Sequence, residues 1–398
     1  MRRRARRLRH LALIAAALGG LVSAARAHGP APVALEVLAH DGRVPTVLRT
    51  NLGLAVANGD GTYAYVCPSR WDGNELALAA AARGGDAILV ESTGVAYLST
   101  DRGCTFARLT GEELWVSAIA RHGDGFLFAA DEYPVDVDPD RSRLFTVLAD
   151  GTVEELALGL PGAIDGLVAT PDGVLIAGHR PVGFVATPDG VLSTFETTSS
   201  RLTPRNRGGG DVWLRSAEGS TVTLARVSAD GTPETPALRA TTVQGPVLVD
   251  GAWYALFDGA LHTYREGTWS FVDEVSFTCL RPFDERNFAC SLAAMYELGS
   301  PQPRVPEATA VFSMDQLGPP AACGDASQQE ACDLDWAHFG GESGWLDTLP
   351  ATSPTSERRT PSVGGCALAP SPPGALGLLV VAGALARLRR RAPRRTRA

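Results

Sequence analysis

Lysine is absent from all 398 residues, so every one of the 36 basic side chains is an arginine. We read that bias as GC-rich coding rather than function. No Gly-x-Ser-x-Gly run occurs, which removes the strand-turn-helix elbow that presents a nucleophilic serine. No two cysteines have C-x2-C spacing and the histidines are few and scattered, which argues against structural zinc. A helical period is almost absent between Val33 and Leu317, which excludes an all-α body.

What is present at the two ends is targeting chemistry, and it has to be set aside before the fold is read. Arg2 to Arg9 form a basic region, Leu11 to Leu21 an apolar stretch, and Ala25-Arg26-Ala27 a small-residue cleavage site. These features predict a signal peptide over 1–27, with a mature chain starting at His28. The apolar stretch is shorter than the roughly 20 residues that span a bilayer. At the other end, Gly365 and Cys366 are followed by a Pro-containing spacer, an apolar run from Gly374 to Leu388 and arginines from Arg389 to Arg397. At 1.5 Å per residue, such a run of about 15 residues covers roughly 22 Å, short for a 30 Å hydrocarbon core.

Fourteen of the arginines lie in these two segments, neither of which holds an acid. The remaining chain carries 22 basic against 44 acidic residues, a net charge near −22. Such a body should repel nucleic acid and anionic membrane surfaces and attract cations. Any membrane contact falls to the carboxy-terminal tail.

Short runs of β-branched and aromatic residues, punctuated by Asp-Gly or Gly-Gly, fill residues 33–317. This is hairpin chemistry and predicts an all-β body. Turns near Asp101, Asp150, Asp189, Asp230 and Glu266 recur every 36 to 49 residues, the period of a four-stranded propeller blade. The echo Ala169 to Leu175 and Ala186 to Leu192 falls inside one unit as its two hairpin turns. The body therefore reads as a six- or seven-bladed β-propeller. Its first blade, around Val47 to Cys67, looks incomplete, and Ala308 to Met314 is the candidate closing strand.

Residues 318–350 read as a small disulfide-containing cap and residues 351–364, rich in Ser, Thr, Pro and Arg, as a flexible spacer. Six cysteines precede the tail, and in an oxidising compartment they can pair. Cys279 and Cys290 flank a hairpin, which places them face to face. The same proximity logic pairs Cys323 with Cys332 and Cys67 with Cys104.

Ser99, Asp101, Gly103, Thr105 and Phe106 resemble the Asp-box hairpin of sialidase-like and related propellers. Phe106 stands where that motif usually has Trp. The resemblance implies architecture, with Asp capping turn amides and the aromatic packing between sheets. It transfers no activity, because Asp-boxes lie away from the catalytic face in sialidases. The tail resembles the myxobacterial carboxy-terminal sorting-tag family (MYXO-CTERM) in its Gly-Cys pair, short apolar helix and terminal arginines. That resemblance implies a partner, a tag-processing membrane protease, and retention at the cell surface, with residues 365–398 as the tag.

Asp131, Glu132, Asp136, Asp138 and Asp140 gather carboxylates in one loop, the arrangement by which calcium loops collect oxygen ligands. A helical calcium loop needs Gly at its sixth position and an acid at its twelfth, and Arg141 and Val147 stand there. A solvated acidic loop is the simpler reading, and no other cofactor is indicated. His28 as a terminal copper ligand lacks a second fixed histidine. His122, His179, His262 and His338 read as surface or structural residues. The functional expectation is an exported, surface-displayed propeller that binds an extracellular ligand or envelope protein. The alternative is a sialidase-like or other glycan hydrolase, which requires arginines and carboxylates to converge at the central face. Arg143, Tyr133, Tyr254 and Tyr264 are the candidates for such a cluster.

Overall fold

The computed structural model describes residues 33–337, apart from 75, 133–141, 149, 180–181, 198–200, 209–210, 229–231, 235–237, 303 and 324–325. Residues 1–27, 351–364 and 365–398, read from the sequence as signal peptide, spacer and tag with Gly365 and Cys366, lie outside the described residues, as do Asp136, Asp138 and Asp140.

The sixth blade shows how local chemistry makes the unit. Its strands Val243–Val249, Ala252–Phe257, Ala260–Arg265 and Thr268–Glu274 are joined by three two-residue turns, Asp250-Gly251, Asp258-Gly259 and Glu266-Gly267. Both central residues of each turn have positive φ, from 47° to 86°. That backbone matches the right-handed twist of paired strands, and glycine at the second position adopts it without strain.

Seven such antiparallel units follow one another, and seven blades are the outcome where six or seven were expected. The first strands of successive units lie side by side around the ring, and the first strand of blade 7 meets that of blade 1. First strands are therefore innermost and fourth strands outermost. The turns near Asp101, Asp150, Asp189 and Glu266 all join third to fourth strands, in blades 2, 3, 4 and 6; Asp230 lies outside the described residues. First-to-second turns lie on that same face, and second-to-third turns on the opposite one.

Side chains alternate across each strand, so each blade offers an apolar layer to both neighbours. Among the described residues the buried apolar side chains fall into seven clusters, one for each pair of adjacent blades. The cluster between blades 7 and 1 joins Phe288, Met295 and Phe312 to Val37, Leu48 and Tyr63. The ring is thus sealed by packing at every interface.

Two details of ring closure differ from the sequence reading. The first blade is complete, because Ala34–His40 supplies its inner strand. Pro306–Ser313 is the outer strand of blade 7 itself. The closing strand is Leu317–Pro320, which runs parallel to Tyr63–Val66 as a fifth, outermost strand of blade 1. A helix, α1 (Ala326–Ala337), follows it.

The disulfides correct the proximity argument. Cys279 joins Cys290 across directly paired strands of blade 7. Cys323 does not join Cys332, nor Cys67 Cys104; the bonds are Cys67–Cys332 and Cys104–Cys323. The reason is that Cys67 ends blade 1 and Cys104 lies in the last hairpin of blade 2, while the segment after the closing strand runs over both. The partners are 265 and 219 residues apart. Buried Arg70 reinforces the junction by donating to the carbonyls of Cys104 and Ala321 and to Gln329 Oε1.

Within the Ser99–Phe106 hairpin, Asp101 accepts hydrogen bonds from the Thr105 amide (2.9 Å), the Thr105 hydroxyl (2.6 Å) and the Ser99 hydroxyl (2.8 Å). Gly103 has φ +84°, and Phe106 meets the edge of Trp71 at 5.3 Å. Burial works upward on the Asp101 carboxyl, but the bonds from Thr105 and Ser99 outweigh it and hold the pKa below the usual carboxylate value. A depressed carboxylate pKa contributes stability at neutral pH that is lost as pH falls through the folded-state value. Asp101→Ala should therefore cost about 1 kcal/mol at pH 7, the low end for charged hydrogen bonds because the site is exposed. The difference from wild type should shrink on acidification, as urea denaturation at pH 7 and pH 3 would show. An unchanged difference at pH 3 would contradict this account.

Candidate functional site

The axis of the ring is lined by the seven inner strands, and five of them break register. On blade 1, Leu35 is unpaired between Ala34↔Thr50 and Glu36↔Arg49. Ser117 on blade 3, Asp165 on blade 4 and Arg205 on blade 5 are likewise the extra residues of their strands. On blade 6 the irregularity covers Gly245 and Pro246. A bulge interrupts the alternation that sends side chains into the layers between blades, and so re-aims the extra residue.

Several polar side chains of this ring connect one blade to the next. Ser117 donates to the Ile164 carbonyl of blade 4 at 3.3 Å. Asp165 accepts from the Leu202 amide of blade 5 at 3.2 Å. Asn206 of blade 5 donates to the Pro246 carbonyl of blade 6 at 3.3 Å. Arg281 of blade 7 donates to Gln244 Oε1 of blade 6 at 2.8 Å. The Cys279–Cys290 sulfurs lie 3.5 and 3.4 Å from the Leu35 carbonyl of blade 1. Inner strands expose backbone groups that only such side chains can reach.

Toward the face of the first-to-second turns, the axis is crossed by an ion pair. Arg121, near the end of the inner strand of blade 3, pairs with Asp284 in the first turn of blade 7. Its guanidinium also lies over the Phe283 ring, 5.1 Å from the centroid. Blades 3 and 7 are not neighbours, so this contact bolts the ring across its centre.

Deeper along the axis the charges are mostly of one sign. Arg281, Arg215 and Arg201 lie within electrostatic reach of Arg205, and so does Glu36 of blade 1. Burial first, and the neighbouring Arg281 and Arg215 next, push the Arg205 pKa down to about 9. It remains charged at neutral pH. Arg49 is also lowered by burial, and Glu36, 3.8 Å from its guanidinium, only partly offsets this. Arg205 makes no hydrogen bond or ion pair to any described residue, whereas Arg281 donates to Gln244 and the Leu280 carbonyl, and Arg49 donates to the Leu76 carbonyl and pairs with Glu36. The outside of the body is acidic and this part of its inside is cationic.

The side chains singled out from sequence do not assemble. Arg143, on the third strand of blade 3, pairs with Glu155 on the fourth and Glu132 at the end of the second. Tyr254 donates to the Arg304 carbonyl and Tyr264 accepts from Arg226, both away from the axis; Tyr133 lies outside the described residues. Asp131 accepts from Ser142, whose hydroxyl in turn accepts from the Ile164 amide, so it joins blade 3 to blade 4. No group of acidic, histidine and cysteine side chains suited to a metal occurs among the described residues. His262 packs against Phe257 and Phe271, and His28 and His338 lie outside the described residues. Arg205 and Arg281 were missed because an arginine beside a proline within a strand looks like ordinary strand surface. The one sequence signal was a charged residue next to Pro204 on a strand otherwise alternating in and out.

No family model matches the chain. No curated protein matches it either. Solved structures similar to it include an extracellular domain from B. thetaiotaomicron, 12% identical over 67% of this chain and 38% of that one, with TM-score 0.46. An ancestral GH74 enzyme is 10% identical over 71% and 47%, with TM-score 0.49. YCF48 from Cyanidioschyzon merolae is 13% identical over 66% and 94%, with TM-score 0.42. The chain spans less than half the length of the first two.

Proposed function

We propose that the chain is an exported binding propeller held at the cell envelope, with its ligand site on the axis. The observation that carries the binding reading lies on the inner strands: five of them are bulged, and Arg205, the extra residue of one, has no hydrogen-bond or ion-pair partner among the described residues. A purely structural propeller gains nothing from an arginine left without a partner on an inner strand, because a partly desolvated cation with no counter-charge is unfavourable. The hydrolase alternative is less favoured: glycoside hydrolysis works with a pair of free carboxylates, and Asp165, Asp284 and Glu36 are engaged by the Leu202 amide, Arg121 and Arg49.

Three disulfides support export, since such bonds persist in oxidising compartments. The signal-like amino end and the Gly365-Cys366 tail supply the route and the retention. Among the described residues no helix is long and apolar enough to cross a membrane. On this reading the processing partner is a membrane protease that acts at the tag.

Cys366→Ala should leave export intact while releasing protein into the medium, or trap it unprocessed in the inner membrane. Fractionation with mass determination of both chain ends tests this, with a mature start expected at His28. If the variant fractionates like wild type and keeps the same carboxy-terminal mass, the tag does not direct retention.

A further inference from the structure

We propose that the Arg205 cluster on the propeller axis binds the oxyanion of a small ligand, a carboxylate or a phosphate. The inference rests on the binding half of the function proposed above and names the chemistry of that same site.

Four observations converge. Arg205 is the extra residue of a bulge, so its direction is set by backbone geometry rather than by strand alternation. It has no hydrogen-bond or ion-pair partner among the described residues, although a guanidinium offers five donors. Arg281 reaches the same space from blade 7 and is steadied by Gln244, which accepts from one of its nitrogens. Glu36 is the acid facing the pair, and it sits beside Arg49. The cluster therefore carries an excess of partly buried positive charge in a body whose net charge is strongly negative.

Enclosed cations without counter-charges are costly, and an anion of matching shape removes that cost. Two guanidinium groups from different blades suit a planar carboxylate or a tetrahedral phosphate, which accept paired N–H donors. A cationic ligand would meet Arg205 and Arg281 first and be repelled. A neutral sugar would leave the donors' charge uncompensated.

The test is a thermal-unfolding titration of the exported protein, with its disulfides intact, using inorganic phosphate and acetate as separate probes. Sodium chloride at matched ionic strength is the control. Either probe should raise the midpoint saturably over chloride, by roughly 5–10 °C at a hundredfold excess over its Kd. Which probe saturates at the lower concentration distinguishes the phosphate from the carboxylate source. Arg205→Gln should abolish the anion response, and in chloride it should melt at or above the wild-type temperature because an uncompensated cation is gone. Arg281→Gln should weaken the response and serves as the second variant should Arg205→Gln not fold. No saturable rise with either probe in the wild type overturns the proposal. So does a response that survives in Arg205→Gln, or a lower Arg205→Gln midpoint in chloride, which would make the side chain structural. None of these outcomes touches export or retention, so failure here and failure of the localisation reading are separable.

Discussion

Replacing all four of Cys67, Cys332, Cys104 and Cys323 by alanine should lower the melting temperature by roughly 10–20 °C, while removing either pair alone should cost far less. The two bonds close loops of comparable size, with partners 265 and 219 residues apart. In the chain-entropy account a loop of this length is worth about 5 kcal/mol. That stabilisation is not additive here, because both bonds tie the same carboxy-terminal segment to the first two blades. Once one is in place, the second restricts little that is still free. The remaining bond also keeps Leu317–Pro320 against Tyr63–Val66, so the outer edge of blade 1 stays covered. Scanning calorimetry of the two double variants and the quadruple variant reads the difference directly. Additive losses from the two pairs would show that they clamp independent units, and a quadruple variant within about 3 °C of wild type would show that packing alone closes the ring.

Trp213→Ala should cost about 3–5 kcal/mol, the range for deleting a large buried aromatic. Trp213 is fully buried on the second strand of blade 5. It meets Tyr264 at 4.9 Å, Trp269 at 5.3 Å and Trp253 at 5.7 Å, all contributed by blade 6. Its removal empties the middle of one inter-blade layer, which strands on two rigid sheets cannot collapse to refill. Trp213→Phe should cost markedly less, because the indole nitrogen has no partner among the described residues and no hydrogen bond is lost. Denaturant unfolding of the two variants checks both the size and the order. Equal losses would mean that shape at this position matters more than volume.

Much of the fold is legible in the chain because its causes are local. Asp250-Gly251 and Glu266-Gly267 demand positive φ, and positive φ in both central residues makes a tight hairpin wherever the chain goes next. Runs such as Ile88–Ser92, buried along their whole length, mark strands covered on both faces. Repeating these signals at blade spacing yields a propeller, and the turns near Asp101, Asp150, Asp189 and Glu266 are equivalent connections. The pair Cys279 and Cys290 is local in the same sense, lying across one hairpin.

What tertiary structure alone decided is whatever depends on the ring being closed. Cys67 is nearer in sequence to Cys104, and Cys323 to Cys332, yet a seven-bladed circuit returns the end of the chain to its beginning and exchanges the partners. The cross-axis pair of Arg121 with Asp284 joins residues 163 positions apart on blades that are not neighbours. Arg205 and Arg281 become a site only because inner strands of different blades face one centre, and because a bulge frees Arg205 from its strand's alternation. Strand period and turn chemistry act over a few residues and can be read from them. Convergence on an axis is set by blade number and register together, and no window of the sequence contains both.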